Sequence, residues 1–114
     1  MSDMERVAWR AMWNGLAERV LANAKRCGFD SLQDEGRSIA LMHSELSEML
    51  EAYRYHNPPS DHISEFSGVE EEMADVVIRI MDHGIARGHR VAEAILAKMA
   101  FNETRPLKHG GKAY

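Results

Sequence analysis

Two pairs of acidic residues, Glu45 with Glu48 and Glu72 with Asp75, are the part of this sequence best suited to chemistry. Each pair is spaced i, i+3, so on a helix both carboxylates of a pair turn to one side. On a helical projection of about 100° per residue, Leu41, Met42, Met49 and Ala52 fall within about 60° of Glu45, with Glu48 at the edge of that arc. Glu72 repeats the device beside Val69, Val76 and Ile80, with Asp75 one turn further on and Arg79 next to it. A buried, unpaired carboxylate costs many kcal/mol, so an acid planted in an apolar stripe needs a cation or a proton. Two such pairs facing each other supply four hard oxygen ligands, a set that suits Mg²⁺, or Mn²⁺ in its place. The same acids would also serve as interhelical salt bridges or a solvated face, and periodicity alone leaves that choice open. Glu70 and Glu71 read as helix-end charges.

Helices must position these residues, and the punctuation of the chain predicts four. The blocks run over about 4–27, 35–56, 69–87 and 91–104. Gly28 and Gly88 are natural stops for the first and third, Asn57-Pro58-Pro59 for the second and Pro106 for the fourth. Residues 57–68 form a polar, proline-bearing loop, and Leu107 to Tyr114 form an irregular tail with Lys108, His109, Gly110, Gly111 and Lys112. The fold expectation is one all-α, four-helix-bundle-like domain over residues 1–114.

Other site classes find little support. A diiron bundle needs Glu-x-x-His pairs, and none of the six histidines has a Glu three positions before it. The histidines also lack i, i+4 pairing, so zinc is not indicated. Net charge is −4, which offers no basic field for a long nucleic acid. No run approaches the ~18 apolar residues of a membrane span. The opening MSDMERVAWR has neither the basic start nor the apolar run of a secretory signal, and Cys27 is the lone cysteine. The expected location is cytoplasmic.

Glu45-x-x-Glu48, a gap of 23 residues and then Glu72-x-x-Asp75 resembles the signature of the MazG-like all-α nucleoside triphosphate pyrophosphatases. The likeness extends to the stretch from Gly68 to Arg79 and to the ending from Lys98 through Asn102, Arg105 and Lys108 to Lys112. In one departure, Ser44 stands where many members carry an additional Glu. The resemblance implies a MazG-type fold and Mg²⁺-dependent hydrolysis of (deoxy)nucleoside triphosphates to monophosphate and pyrophosphate, as in nucleotide-pool house-cleaning. It assigns Glu45, Glu48, Glu72 and Asp75 to the metal. Either Glu48 or Glu45 then orients or deprotonates the attacking water, which spacing does not decide. It further marks Lys98 and Asn102, on one face of the fourth block, as triphosphate contacts, with Arg105 and Lys108 continuing the strip.

The base side is less defined. Trp9 and Trp13 share a face and either stack on a base or pack in a dimer core; Asn14 and Asn23 offer amides to a base edge. Phe29, Tyr53 and Phe66 lie near loops as further candidates. A dUTPase-like or phosphoribosyl-ATP pyrophosphatase-like specificity shares the same metal chemistry, and a non-catalytic helical interaction module is the alternative of another class. Met12, Leu16, Leu41, Met81 and Ile95 cannot all be covered within one slim bundle, which predicts a homodimer or dimer of dimers with the site near the subunit boundary.

Overall fold

The computed structural model describes residues 1–106, which fold into α1 (Asp3–Arg26), α2 (Glu35–Arg54), α3 (Gly68–Arg87) and α4 (Val91–Glu103). Among the described residues there is no strand, only an isolated bridge between Pro59 and Ser67. The all-α, four-helix expectation holds. None of these helices is long and apolar enough to cross a membrane.

Local chemistry sets the ends. Ser2 with Glu5, and Ser67 with Glu70, form capping boxes that satisfy the first free amides of α1 and α3. Asp34 accepts from the Arg37 amide at 2.9 Å to start α2. Gly88 closes α3 in the left-handed conformation (φ 73), which a side chain would strain. One boundary moves: α2 stops at Arg54, short of the expected 56. His56 and Asn57 both take positive φ (62 and 51), turning the chain before Pro58, and Asn57 Oδ1 accepts from the Val69 amide at the start of α3. Asparagine tolerates this region better than most residues and spends its side chain on the neighbouring helix.

Helix α3 is the shared element: α2 and α1 both pack on it, and α4 packs on α1. Arg87 holds the α1–α2 loop against α3 by donating to the carbonyls of Ser31 and Gln33, while Ser31 donates to Asp82 at 2.8 Å. The turn into α4 is tight. A Cβ at Gly84 would lie 2.8 Å from the Val91 Cγ2 methyl, which a β-branched side chain cannot easily withdraw. Gly84→Ala is therefore expected to cost about 1–3 kcal/mol in urea unfolding, and an unchanged midpoint would contradict that close approach.

The interior is small. Ala17, Val69, Met81 and Ala92 are the buried apolar residues, and no large side chain is fully enclosed. The radius of gyration is 16.6 Å, against about 13 Å for a compact chain of this length. Met12 and Leu16 stay exposed, as do Met73, Val77 and Ile78 along α3. The last three line, with Leu16, Val20 and Met81, an apolar groove of about 990 Å³ between α1 and α3.

Candidate metal centre

Two cross-links set the register of α2 against α3: Glu45 meets Arg79, and Ser38 Oγ meets His83 Nδ1 at 2.8 Å. Because one number falls as the other rises, the helices run antiparallel, and both acidic pairs come to the same level. Glu45, Glu72 and Asp75 each place a carboxylate oxygen within 4.8 Å of the others. Glu45 is only 8% exposed and is flanked by the half-buried Leu41, Met42 and Met49, so the acid does sit within the apolar stripe. Glu48 is exposed at the rim and lies outside that trio, although its carboxyl neighbours those of Glu45 and Glu72.

Each acid is perturbed differently. Arg79 donates from Nε to Glu45 Oε1 at 2.9 Å, and its Nη2 lies 2.9 Å from the same oxygen in the ion pair. Glu45's other oxygen stays outside that ion pair. Burial pushes Glu45 upward, but hydrogen bonds with Glu72, Arg79 and Glu48 outweigh it and hold the carboxyl below its ordinary value. Glu72 goes the other way: burial, then the adjoining carboxyls of Glu45 and Glu48, push it up to about 8. Asp75 is also raised, by burial and then by the charges of Glu45 and Glu71. Glu72 Oε2 is buried with no hydrogen-bond partner. Its neighbours are acceptors, so a proton or a cation must satisfy it. The donor set is all hard oxygen and carries more negative charge than one guanidinium neutralises, so these residues could hold a metal ion.

A cleft of about 1060 Å³ opens from this cluster. Glu45, Glu71, Asp75 and Arg79 line it with His62 and Ile63, and Leu41, Ala74 and Ile78 give it an apolar wall. Asn23, Phe29 and Arg37 line it too, as do Asp30 and Asp82, so two of the base-side candidates, Asn23 and Phe29, share the cleft with the acids. Its volume is at the upper end for small-molecule clefts.

The remaining candidates lie elsewhere. Trp13 and Asn14 are not among the residues lining this cleft. Trp13 stacks at a tilt on Trp9 (5.6 Å between centroids), whose indole nitrogen donates to the Ala92 carbonyl at 2.9 Å, so the pair joins α1 to α4. Lys98, Asn102 and Arg105 are also absent from the lining, because α4 packs on α1 and away from the acids. Lys98 and Arg105 both lie over the exposed Phe101 ring, at 4.7 and 5.7 Å. Lys108 falls outside the described residues, as do His109, Gly110, Gly111 and Lys112.

Arg79, the main counter-charge the sequence offers these acids, pairs across to Glu45 instead of along its own helix. One feature lies outside sequence periodicity. Glu71, expected as a helix-end charge, accepts from Ser60 Oγ at 2.7 Å and bonds His62 Nδ1 at 2.8 Å. A hydroxyl and an imidazole in the preceding loop carry no helical period that would have signalled this.

Comparison with protein-family models, with curated proteins and with solved structures finds no match to this chain.

Proposed function

We propose that this chain is a Mg²⁺-dependent nucleoside triphosphate pyrophosphatase of the MazG-like kind, acting on the nucleotide pool. The observation that carries the reading is the stranded Glu72 Oε2 amid the carboxylates of Glu45 and Asp75. A lone acid there would stay protonated, whereas a cation would convert the cluster into a grip for polyphosphate. Glu45, Glu72 and Asp75 hold the ion, with Arg79 fixing the orientation of Glu45 through a single oxygen. A bound ion of this class neutralises phosphate oxygens and lowers the pKa of its water. Glu48, exposed beside the trio, orients the attacking water and accepts its proton. The α–β phosphoanhydride is cleaved, and monophosphate and pyrophosphate leave.

The partner in this reading is a second copy of the chain. Within one protomer Lys98, Asn102 and Arg105 do not line the cleft, while the apolar surface of α1 and α3 lies open. A homodimer, or a dimer of dimers, would cover that surface and bring the phosphate-binding strip of one copy toward the acids of the other. Light scattering at micromolar concentration is expected to give at least twice the chain mass. A monomer would remove this part of the proposal.

The direct test is pyrophosphate release from a panel of (d)NTPs, with dUTP and phosphoribosyl-ATP included, with and without Mg²⁺. Metal-dependent release of equimolar monophosphate and pyrophosphate is expected, and the preferred member of the panel decides the specificity. The Arg79–Glu45 ion pair also favours a second reading, a helical module whose acids only bridge helices. That reading requires calorimetric titration with Mg²⁺ or Mn²⁺ to show no specific binding, together with no turnover on any triphosphate.

A further inference from the structure

We infer that His62 is a further catalytic residue of this cleft, one that binds the β- and γ-phosphates and then the departing pyrophosphate. The inference rests on the pyrophosphatase reading and adds to it a group that periodicity had no means of finding.

His62 lies on the α2–α3 loop, and that loop is pinned. Ser60 is buried, accepts from the amides of His62 and Ile63 at 3.1 Å each, and donates from its hydroxyl to Glu71 Oε1 at 2.7 Å. The Ser60 amide bonds the Phe66 carbonyl and the Gly68 amide bonds the Pro58 carbonyl, both at 2.8 Å, so the loop is closed at its base. On this frame the imidazole is fixed at one nitrogen, Nδ1, by Glu71 Oε2 at 2.8 Å, while the side chain stays 84% exposed. A carboxylate accepts only, so Nδ1 carries a hydrogen, and the second ring nitrogen is left for a ligand. The hydrogen bond with Glu71, then its charge, raises His62 above its ordinary value, with Asp61 and Asp75 adding to the effect. When protonated, the ring offers its second nitrogen as a donor beside the acidic cluster.

Order along the cleft assigns the phosphate. Passing along α3, Glu71 with His62 comes first, Asp75 follows with Glu72 behind it and off the cleft lining, and the apolar wall at Ile78 comes after them. The metal ligands therefore stand between His62 and the end of the cleft where Phe29 and Ile78 suit a nucleoside. A substrate cut at the metal centre puts its nucleoside on the Ile78 side and its pyrophosphate on the His62 side. From Glu71 to Asp75 is one helical turn, about 6 Å, the scale of one or two phosphate groups. Of the other cations that line this cleft, Arg79 is committed to Glu45, and Arg37 adjoins Ser38, which pairs with His83 beyond Ile78 on α3.

The experiment compares wild type, His62→Ala and His62→Gln in titration calorimetry at fixed Mg²⁺, using inorganic pyrophosphate and the monophosphate of the best substrate. His62→Ala is expected to weaken pyrophosphate about tenfold to a hundredfold, the loss of a charge-assisted hydrogen bond, and to leave the monophosphate within about twofold. His62→Gln, which keeps an N–H donor near the Nε2 position, falls between the two. Because the side chain is exposed, the thermal midpoint should not move. Pyrophosphate affinity unchanged in His62→Ala, with wild-type turnover intact, overturns the His62 assignment and leaves the pyrophosphatase reading standing. Equal losses for both ligands also overturn it, since they mean a displaced loop. A wild type that neither binds pyrophosphate nor turns over any triphosphate sinks both.

Discussion

Asp75→Asn and Glu72→Gln are each expected to cut kcat/KM for triphosphate hydrolysis by roughly 10²- to 10³-fold, with Mg²⁺ affinity falling in parallel. Both changes keep the shape of the side chain and remove one negative charge from a trio whose oxygens lie within 4.8 Å of each other. The loss therefore reports on charge at the centre and not on packing. Glu48→Gln should behave differently. Glu48 is exposed and outside the trio, so its neutral variant lowers kcat while Mg²⁺ affinity stays close to wild type. Kinetics and metal calorimetry on the three variants separate the roles. Equal Mg²⁺ losses across all three would make Glu48 a ligand and return the water-handling role to Glu45. Full turnover by Asp75→Asn would remove the metal centre altogether.

Without divalent ions, thermal stability is expected to fall as pH rises from about 4.5 to about 8, the ordinary and folded-state values of Glu72. The direction follows from proton counting. Over that window folded Glu72 keeps its proton and unfolded Glu72 has lost it, so the unfolded state binds fewer protons and rising pH favours it. Asp75, also raised, acts in the same sense, while the lowered Glu45 contributes stability that is lost only on acidification. Each pH step between the two values is worth at most about 1.4 kcal/mol for Glu72. Partial solvent access reduces the total to roughly 2 kcal/mol, or about 10 °C in Tm. Excess Mg²⁺ should restore the loss at pH 8 by taking the proton's place, and Glu72→Gln should flatten the pH profile and abolish the Mg²⁺ response. Differential scanning fluorimetry from pH 5 to 8.5, with and without Mg²⁺, reads all of this. A wild-type midpoint that rises with pH in the absence of metal would mean that Glu72 ionises freely in the folded protein.

Much of the architecture was open to reading before any coordinates, because helix starts and stops are local chemistry. Glu70, Gly88 and Pro58-Pro59 act within a few residues of where they stand, and the helix limits came out within one residue except at the end of α2. There the positive φ of His56 and Asn57 defeated the expectation. That turn is held by Asn57 capping α3 at Val69, a contact with a residue 12 positions away that no helical period encodes.

The centre divides in the same way. That Glu45 and Glu72 would interrupt apolar stripes, and that Glu45 would be buried, followed from a period of 3.6 residues, which a helix imposes whatever its neighbours are. How α2 meets α3 was settled only in three dimensions. The antiparallel register decided that Glu45, Glu72 and Asp75 converge while Glu48 stays at the rim, and that Arg79 crosses to Glu45. The same packing carried Lys98, Asn102 and Arg105 off with α4 onto α1, and folded His62 back onto Glu71. Periodicity determines which face of a helix a residue occupies; what that face meets depends on side chains far away in the chain, and only the packed structure supplies them.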